Sequence, residues 1–392
     1  AVDVLERGGN AIDAAVTAAL VLSVADSDAS GIGGATYMLI KPADGPAVVL
    51  DGTSLTPAQV DIDRLREVKQ SGRNFGHEFV AVPTTLAVLD MALEKYGTIP
   101  MADALQPAIE VAVSGYLLSP IQIIWTEQYY DNILKASVFS AHLIMEDGKT
   151  IGEPGELHCQ PHLANTLRRV ASEGVDSFYR GSIANEIEAD MIANGGYLRK
   201  ADLVMYKVRE RPPASTTYRD VEVLTVPSPG GGEMLIEVLN ILETFPSTFI
   251  AANSLDRHHT LVETFRIANA DRGGSASSAP GGWSGSGITS KNHARDRAAM
   301  IVPGKVLKRE EISGPVDLDC FPKGESTTQV SVIDQWGNIV SLTQTLSRSF
   351  GSKVVTPNLG FFYNSFLESF NVEKPQCGGH LLPRSQCIND MA

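Results

Sequence analysis

The chain has 392 residues, 43% hydrophobic and 20% charged, a near-average globular composition that excludes a disordered tail, a collagenous fibre and a coiled coil. Its 32 basic against 46 acidic residues leave a formal charge of -14, a sign that repels phosphate backbones and anionic lipid and so argues against nucleic-acid and membrane-surface partners. The longest apolar stretch, Ala14 to Ala25, is broken by Thr17 and Ser23 and falls short of the roughly 20 residues a bilayer crossing needs.

In chain order, the opening at Ala1 has no basic n-region or cleavage site, which reads as a processed or truncated start and leaves the compartment open. Gly8-Gly9-Asn10 leads into an Ala/Val/Leu-rich run, Ala11 to Ala25, predicted as a buried helix with Asn10 as its N-cap. After Ser30-Gly31-Ile32-Gly33-Gly34, the segments Thr36 to Ile40 and Ala47 to Leu50 flank Asp44-Gly45 and read as a hairpin. Helical patterns follow at about 84–96, 102–114 and 162–173, with Pro161 at a first-turn position, so the middle of the chain is mostly helical. Val221 to Val226 reads as a strand, Ser228 to Gly232 as a turn, and Glu233 to Glu243 and Leu255 to Ala270 as helices. From Gly273 to Gly287 the composition collapses to Gly, Ser, Ala and Pro, the pattern of an exposed flexible loop. Beyond Cys320 the period turns to two, giving a second hairpin from Gln329 to Asp334 and Asn338 to Leu346 across Gln335-Trp336-Gly337.

Several tempting motifs have plainer readings. Gly31-Ile32-Gly33-Gly34 precedes a strand instead of opening a helix, the reverse of a dinucleotide loop, and Pro229 to Gly232 lacks the Gly-Lys-Ser/Thr ending of a P-loop. His158-Cys159-Gln160-Pro161-His162 offers three metal-capable side chains but Pro161 interrupts them and no second cluster completes a site. Ser284 fails the G-x-S-x-G elbow at its last position. The four cysteines, Cys159, Cys320, Cys377 and Cys387, have no C-x-x-C spacing and are too sparse for a disulfide scaffold.

The chemistry concentrates at Ser326-Thr327-Thr328, where two hydroxyls stand at the mouth of a strand. If Gly337 takes positive φ in a three-residue turn, Thr345 falls opposite Thr327, since both lie nine residues from Trp336; a bulge shifts this by one. The two side chains then share a face within hydrogen-bonding reach. Threonine is also an ordinary strand residue, and the hairpin alone does not separate the two readings.

Around this hairpin, Thr327-Thr328, Ser331-Val332, Asp334, Gly337-Asn338, Val340 to Thr343, Thr345-Leu346 and Phe350-Gly351 resemble the start of the small subunit in the γ-glutamyltranspeptidase family. The resemblance extends in order through Gly8 to Ala15, Ser30 to Gly34, Lys95 to Pro100, Leu105 to Ala108, Pro227 to Gly232 and Ala270-Asp271-Arg272. It implies an α+β fold, the four-layer αββα sandwich of N-terminal-nucleophile hydrolases, built from a large-subunit portion, 1–326, and the first part of a small-subunit portion, 327–392. It implies a precursor that cuts itself between Ser326 and Thr327, freeing an α-amine with an ordinary pKa near roughly 7.7 to 8.0 to serve as general base for the Thr327 hydroxyl. Thr345 matches the position that assists the nucleophile. No cofactor or metal is implied. The implied partners are a small amide or peptide, glutathione-like among the candidates, and the two chains of one precursor. An extracytoplasmic location follows from the family alone.

The headgroup positions depart from the family pattern. Thr53, in Asp51-Gly52-Thr53-Ser54, stands where an arginine holds the glutamyl α-carboxylate; Phe366 and Ser369 stand where a Gln and an Asp hold the ammonium. Ser347 replaces an Asn two residues after the activating Thr, and Asn389 and Asp390 replace paired serines. A buried zwitterion needs paired charges, so the resemblance carries the reaction, cleavage or transfer of a γ-glutamyl or related acyl group from an amide, more firmly than strict glutamyl specificity, with an acylase taking a less charged acyl group as the alternative. Glu368, beside Ser369, is the remaining acid in that stretch. The family's Gly-Gly oxyanion pair is expected beyond Ala392. The alternative of a different class is a catalytically silent scaffold that binds a small amide or peptide.

Overall fold

The computed structural model describes all residues except 138, 141–151, 252, 279–286, 313–325, 370–380 and 383–392. They divide into two compact units, the first drawn from 1–210, 326–369 and 381–382, the second from 211–312.

The first unit is organised around one five-stranded sheet. Its strands are β1 (Ala35–Lys41), β2 (Val48–Asp51), β3 (Arg209–Arg211), β4 (Ser326–Ile333) and β5 (Ile339–Ser347), in the order β3-β2-β1-β5-β4. The hairpins β1-β2 and β4-β5 arise where the sequence reading places them, and β1 joins them by pairing antiparallel with β5 from Ala35↔Thr345 to Lys41↔Ile339. Side chains alternate across a strand. Met38, Ile40, Leu50, Val340 and Leu342 therefore enter the core, with Val330 and Val332 packed against it, whereas Thr327 and Gln329 lie exposed on alternate positions of β4.

That core is closed by helices, chief among them α1 (Ala11–Ala25), α2 (Thr85–Tyr96), α3 (Met101–Ser114) and α4 (Pro161–Glu173). Helix α1 is apolar on almost every side and starts on a complete capping box: Asn10 Oδ1 accepts from the Ile12 and Asp13 N–H groups, and Asp13 accepts from the Asn10 N–H at 2.8 Å. The same fully buried Asp13 carboxylate accepts from the Thr98 N–H and hydroxyl at 2.7 and 2.6 Å. One acid thus satisfies the start of α1 and the turn after α2, which explains why the Gly8-to-Ala15 and Lys95-to-Pro100 motifs occur together.

In the second unit a hairpin, Ala214–Tyr218 with Val221–Thr225, precedes helix Gly232–Glu243 and helix Leu255–Ser278. The first of those strands is missing from the sequence reading because its turn is Arg219-Asp220, two residues at φ 47 and 70, without the Asn-Gly or Asp-Gly that marks such turns. The expectation of a loop from Gly273 onward is corrected: the helix continues through Ser278, since small residues weaken a helix without forbidding it when preceding turns are already formed. Residues 279–286, including Ser284, lie outside the described residues. No helix among the described residues is long and apolar enough to cross a membrane.

Candidate active site

The β4-β5 hairpin turns on Gly337 at φ 89. Asp334 closes the turn by accepting from Trp336 N, Asn338 N and Asn338 Nδ2, and reaches across to accept from the Ala11 N–H at 2.9 Å. Against the cost of burial, these donors hold its carboxyl below the ordinary value. The register predicted from Trp336 holds as far as Gln344↔Thr328; a bulge follows, and the next pair is Ser347↔Ser326. Thr327 sits opposite this extra residue, on the same face as Thr345.

Three oxygens converge there. Thr345 Oγ1 donates to the Ser326 carbonyl oxygen at 2.8 Å and accepts from the Ser347 N–H at 2.9 Å. Thr327 Oγ1 lies 2.7 Å from the same carbonyl oxygen and donates to Thr345 Oγ1 at 3.2 Å. Because the Ser347 N–H occupies a lone pair of Thr345 Oγ1, the Thr345 proton is left to point at the Ser326 carbonyl, polarising it beside the Thr327 hydroxyl. Ser347 achieves this from φ 81, a conformation rare for a residue with a side chain. Of the four expected substrate-binding positions among the described residues, it alone is hydrogen-bonded to the threonine pair, through its backbone.

The Gly loop before β1 explains the backbone framing. A Cβ on Gly34 would lie 2.3 Å from the Thr345 carbonyl oxygen, and one on Gly33 would lie 2.2 Å from that of Phe362. The motif is there to let two backbones touch. Fully buried Asn364 locks it, donating to the carbonyls of Gly33 and Ala81 and accepting from the Ala81 N–H at 3.0 Å.

The remaining expected positions are accounted for differently. Thr53 donates to Asp51 Oδ1 at 2.5 Å and lies 2.5 Å from the Tyr37 hydroxyl, while Asp51 pairs with Arg209 at 2.8 Å. Phe366 is buried in a small apolar cluster with Ala35, Phe79 and Leu367. Ser369 ends the short helix Phe366–Ser369, its buried hydroxyl unpartnered among the described residues. Glu368 is gripped by Arg348 through two hydrogen bonds of 3.0 and 2.8 Å, and its carbonyl accepts from Lys69. Asn389 and Asp390 lie outside the described residues, as do Cys320, Cys377 and Cys387.

Two acids absent from the sequence reading stand under the hairpin. Thr328, buried next to the exposed Thr327, donates its hydroxyl to the Asp26 carboxylate. Burial raises Asp26 while the Thr328 hydrogen bond opposes the rise, and Asp28 is pushed up to about 6 by burial and by Asp26. In the second unit, Glu237, Asp271 and His293 form the one metal-capable trio among the described residues. Arg297 already engages both oxygens of Asp271, and His293 Nε2 lies 3.0 and 2.9 Å from Glu237 and Asp271, so the trio is a hydrogen-bonded knot anchored on the Arg297–Asp271 ion pair.

The family model for gamma-glutamyltranspeptidase matches residues 1–389. The glutathione hydrolase proenzyme of Pseudomonas sp. (strain A14) is 34% identical over 378 residues, covering 94% of this chain and 64% of its own. The acylase ACY 1 proenzyme of Pseudomonas sp. (strain SE83) is 33% identical over 382 residues, covering 94% and 67%. The chain thus spans about two thirds of the length of these curated relatives. The crystal structure of cephalosporin acylase from Bacillus halodurans superposes with a TM-score of 0.83 at 28% identity, covering 97% of this chain and 69% of that one. This likeness gives the α+β N-terminal-nucleophile sandwich anticipated from the sequence, and on the match over nearly its whole length the chain belongs to the gamma-glutamyltranspeptidase family.

Proposed function

We propose that the chain is an autoprocessing threonine amidohydrolase that hydrolyses or transfers an acyl group from an amide, with 1–326 and 327–392 as its large- and small-subunit portions. The observation that carries this reading is the meeting of Thr327 Oγ1, Thr345 Oγ1 and the Ser326 carbonyl within 2.7 to 3.2 Å. Thr327 Oγ1 attacks the Ser326 carbonyl carbon, its proton passing by way of Thr345 to the departing Thr327 nitrogen. The C–N bond breaks and an ester replaces the amide. Water then hydrolyses the ester, leaving a Ser326 carboxylate and a free Thr327 amine. That amine can now take the proton from the Thr327 hydroxyl as it attacks a substrate amide, and the acyl-enzyme is resolved by water or an amine. The names of the proenzyme relatives, glutathione hydrolase and acylase, support this reaction class. The compartment in this reading is extracytoplasmic, as the family resemblance suggests.

A second reading concerns the acyl group. Thr53 is engaged by Asp51 and Tyr37, and Glu368 by Arg348, so neither stands ready for a glutamyl carboxylate or ammonium. This favours an acylase of the same fold working on non-glutamyl amides, in keeping with the acylase relatives.

Denaturing electrophoresis with intact-mass measurement tests the reaction: wild type yields two fragments meeting at Ser326/Thr327, and Thr327→Ala stays whole. An intact wild-type chain with amidase activity would refute the mechanism. On processed protein, uncharged acyl anilides should be hydrolysed faster than γ-glutamyl anilide; activity confined to the glutamyl series would refute the second reading.

A further inference from the structure

The nucleophile stands on insecure backbone. Among the described residues strand β4 is paired with β5 alone, and Thr327 lies next to its first residue. The ladder is interrupted at the bulge, between Gln344↔Thr328 and Ser347↔Ser326. In the autoprocessing reading, on which this inference rests, the cut also makes Thr327 a chain terminus, the part of a strand most prone to fray. An amine and a hydroxyl that must act on one carbonyl cannot tolerate that freedom, since about 1 Å of misplacement can cost 100-fold in rate.

A strap from the end of α1 counters it. Asp26 follows the helix directly, its N–H still donating to the Leu22 carbonyl at 2.8 Å. Its carboxylate accepts the hydroxyl of Thr328, the residue next to the nucleophile on the opposite face of the strand. Two residues on, the Asp28 carbonyl accepts from Phe350 N at 2.6 Å, and the Ala29 carbonyl accepts from Leu346 N at 3.1 Å, supplying a partner to the residue that the bulge displaces from the ladder. Asp26 to Ala29 therefore grips both strands of the hairpin at the bulge. Of these contacts, the Asp26–Thr328 bond is the one that acts on the strand carrying Thr327, through a charge-assisted hydrogen bond that is among the stronger a protein makes.

We infer that Asp26 is a positioning residue for the nucleophile: by holding Thr328 from beneath the sheet, it fixes the orientation of Thr327 before the cut and keeps the new terminus in place after it. The role is that of a hydrogen-bond acceptor to Thr328, so it belongs to geometry and not to substrate contact.

The test uses the whole chain and two readouts, the half-time of self-cleavage and the kcat and KM of the processed protein on an acyl anilide that the wild type hydrolyses. Thr328→Val, which removes the hydroxyl at nearly constant volume, should slow cleavage and lower kcat by about 10- to 100-fold with KM within about twofold. Thr328→Ser should restore both. Asp26→Ala should reproduce the valine effect, and Asp26→Asn, which keeps an acceptor oxygen, should lie between it and wild type. Thr328→Val at wild-type rates, or Thr328→Ser as impaired as Thr328→Val, overturns the inference. Should the valine variant not fold, Asp26→Ala decides, and a wild-type kcat there overturns it equally. A wild-type chain that never cuts defeats the proposed function and this inference with it; a wild type that cuts beside an equally fast Thr328→Val defeats the inference alone.

Discussion

In the proposed reaction Thr345 is neither the nucleophile nor part of the bond to be cut, yet it touches both. Its hydroxyl donates to the Ser326 carbonyl oxygen, the atom that gains negative charge when that carbonyl is attacked, and the Ser347 N–H keeps the proton aimed there. Donors fixed on a developing oxyanion are worth about 100- to 1,000-fold in rate when removed one at a time. Thr345→Val should therefore slow self-cleavage by about 100-fold while leaving the fold intact, because the lost contact is a single hydroxyl on a half-buried strand residue. Thr345→Ser should stay within about tenfold of wild type, since the oxygen is kept and only a methyl group is lost. A time course of fragment appearance on denaturing gels measures both, and equal rates for valine and serine would remove Thr345 from the chemistry.

At the scale of elements, the parts the sequence made legible are those fixed by short-range chemistry. Asn10 announces a capped helix, Gly337 announces a turn, and Trp336 as a midpoint gives the register that brings Thr345 to Thr327. What was not legible depends on distant partners: Asp26 is an unremarkable loop acid until Thr328, 302 residues away, donates to it, and strand Arg209–Arg211 is too short to carry a period. The headgroup stretch shows the same limit, for its sequence reveals that Glu368 is present but not that Arg348 holds it. Glu237 is another such residue, on an apolar helix where its position is fixed by His293 and Asp271. Burial, and then the neighbouring Asp271, push its carboxyl well above the ordinary carboxylate value, so the folded state binds a proton that the unfolded chain releases. The stability from that proton is fully present below the ordinary value of 4.5 and is lost as pH rises toward the raised folded value. Glu237→Gln copies the protonated form, and it should raise the unfolding midpoint relative to wild type at pH 8 and make little difference at pH 4. A gain independent of pH would show that Glu237 is not protonated in the fold.

Across the whole molecule, the proposed cut falls inside one folded unit. Ser326 and Thr327 both lie in the first unit, and the strand that begins at the junction is bonded along its length to β5. Strand β5 is bonded in turn to β1 from Ala35↔Thr345 to Lys41↔Ile339, and Val340, Leu342, Tyr363 and Phe361 belong to the same apolar core as α1 and α2. Cutting one peptide bond removes none of these contacts. What it adds is a carboxylate at Ser326 and an amine at Thr327, and the exposure of Thr327 lets water solvate both. The cost of separating the pieces is therefore that of opening a sheet and a core, close to the cost of unfolding the unit, and far above the repulsion or solvation of two new termini. The processed fragments should co-elute on size exclusion in native buffer and part only across the denaturant range that unfolds the first unit. Native mass spectrometry should find their sum heavier than the precursor by one water. Fragments that drift apart in native buffer would mean that the β1-β5 seam does not hold the two portions, and that the site is not a product of both.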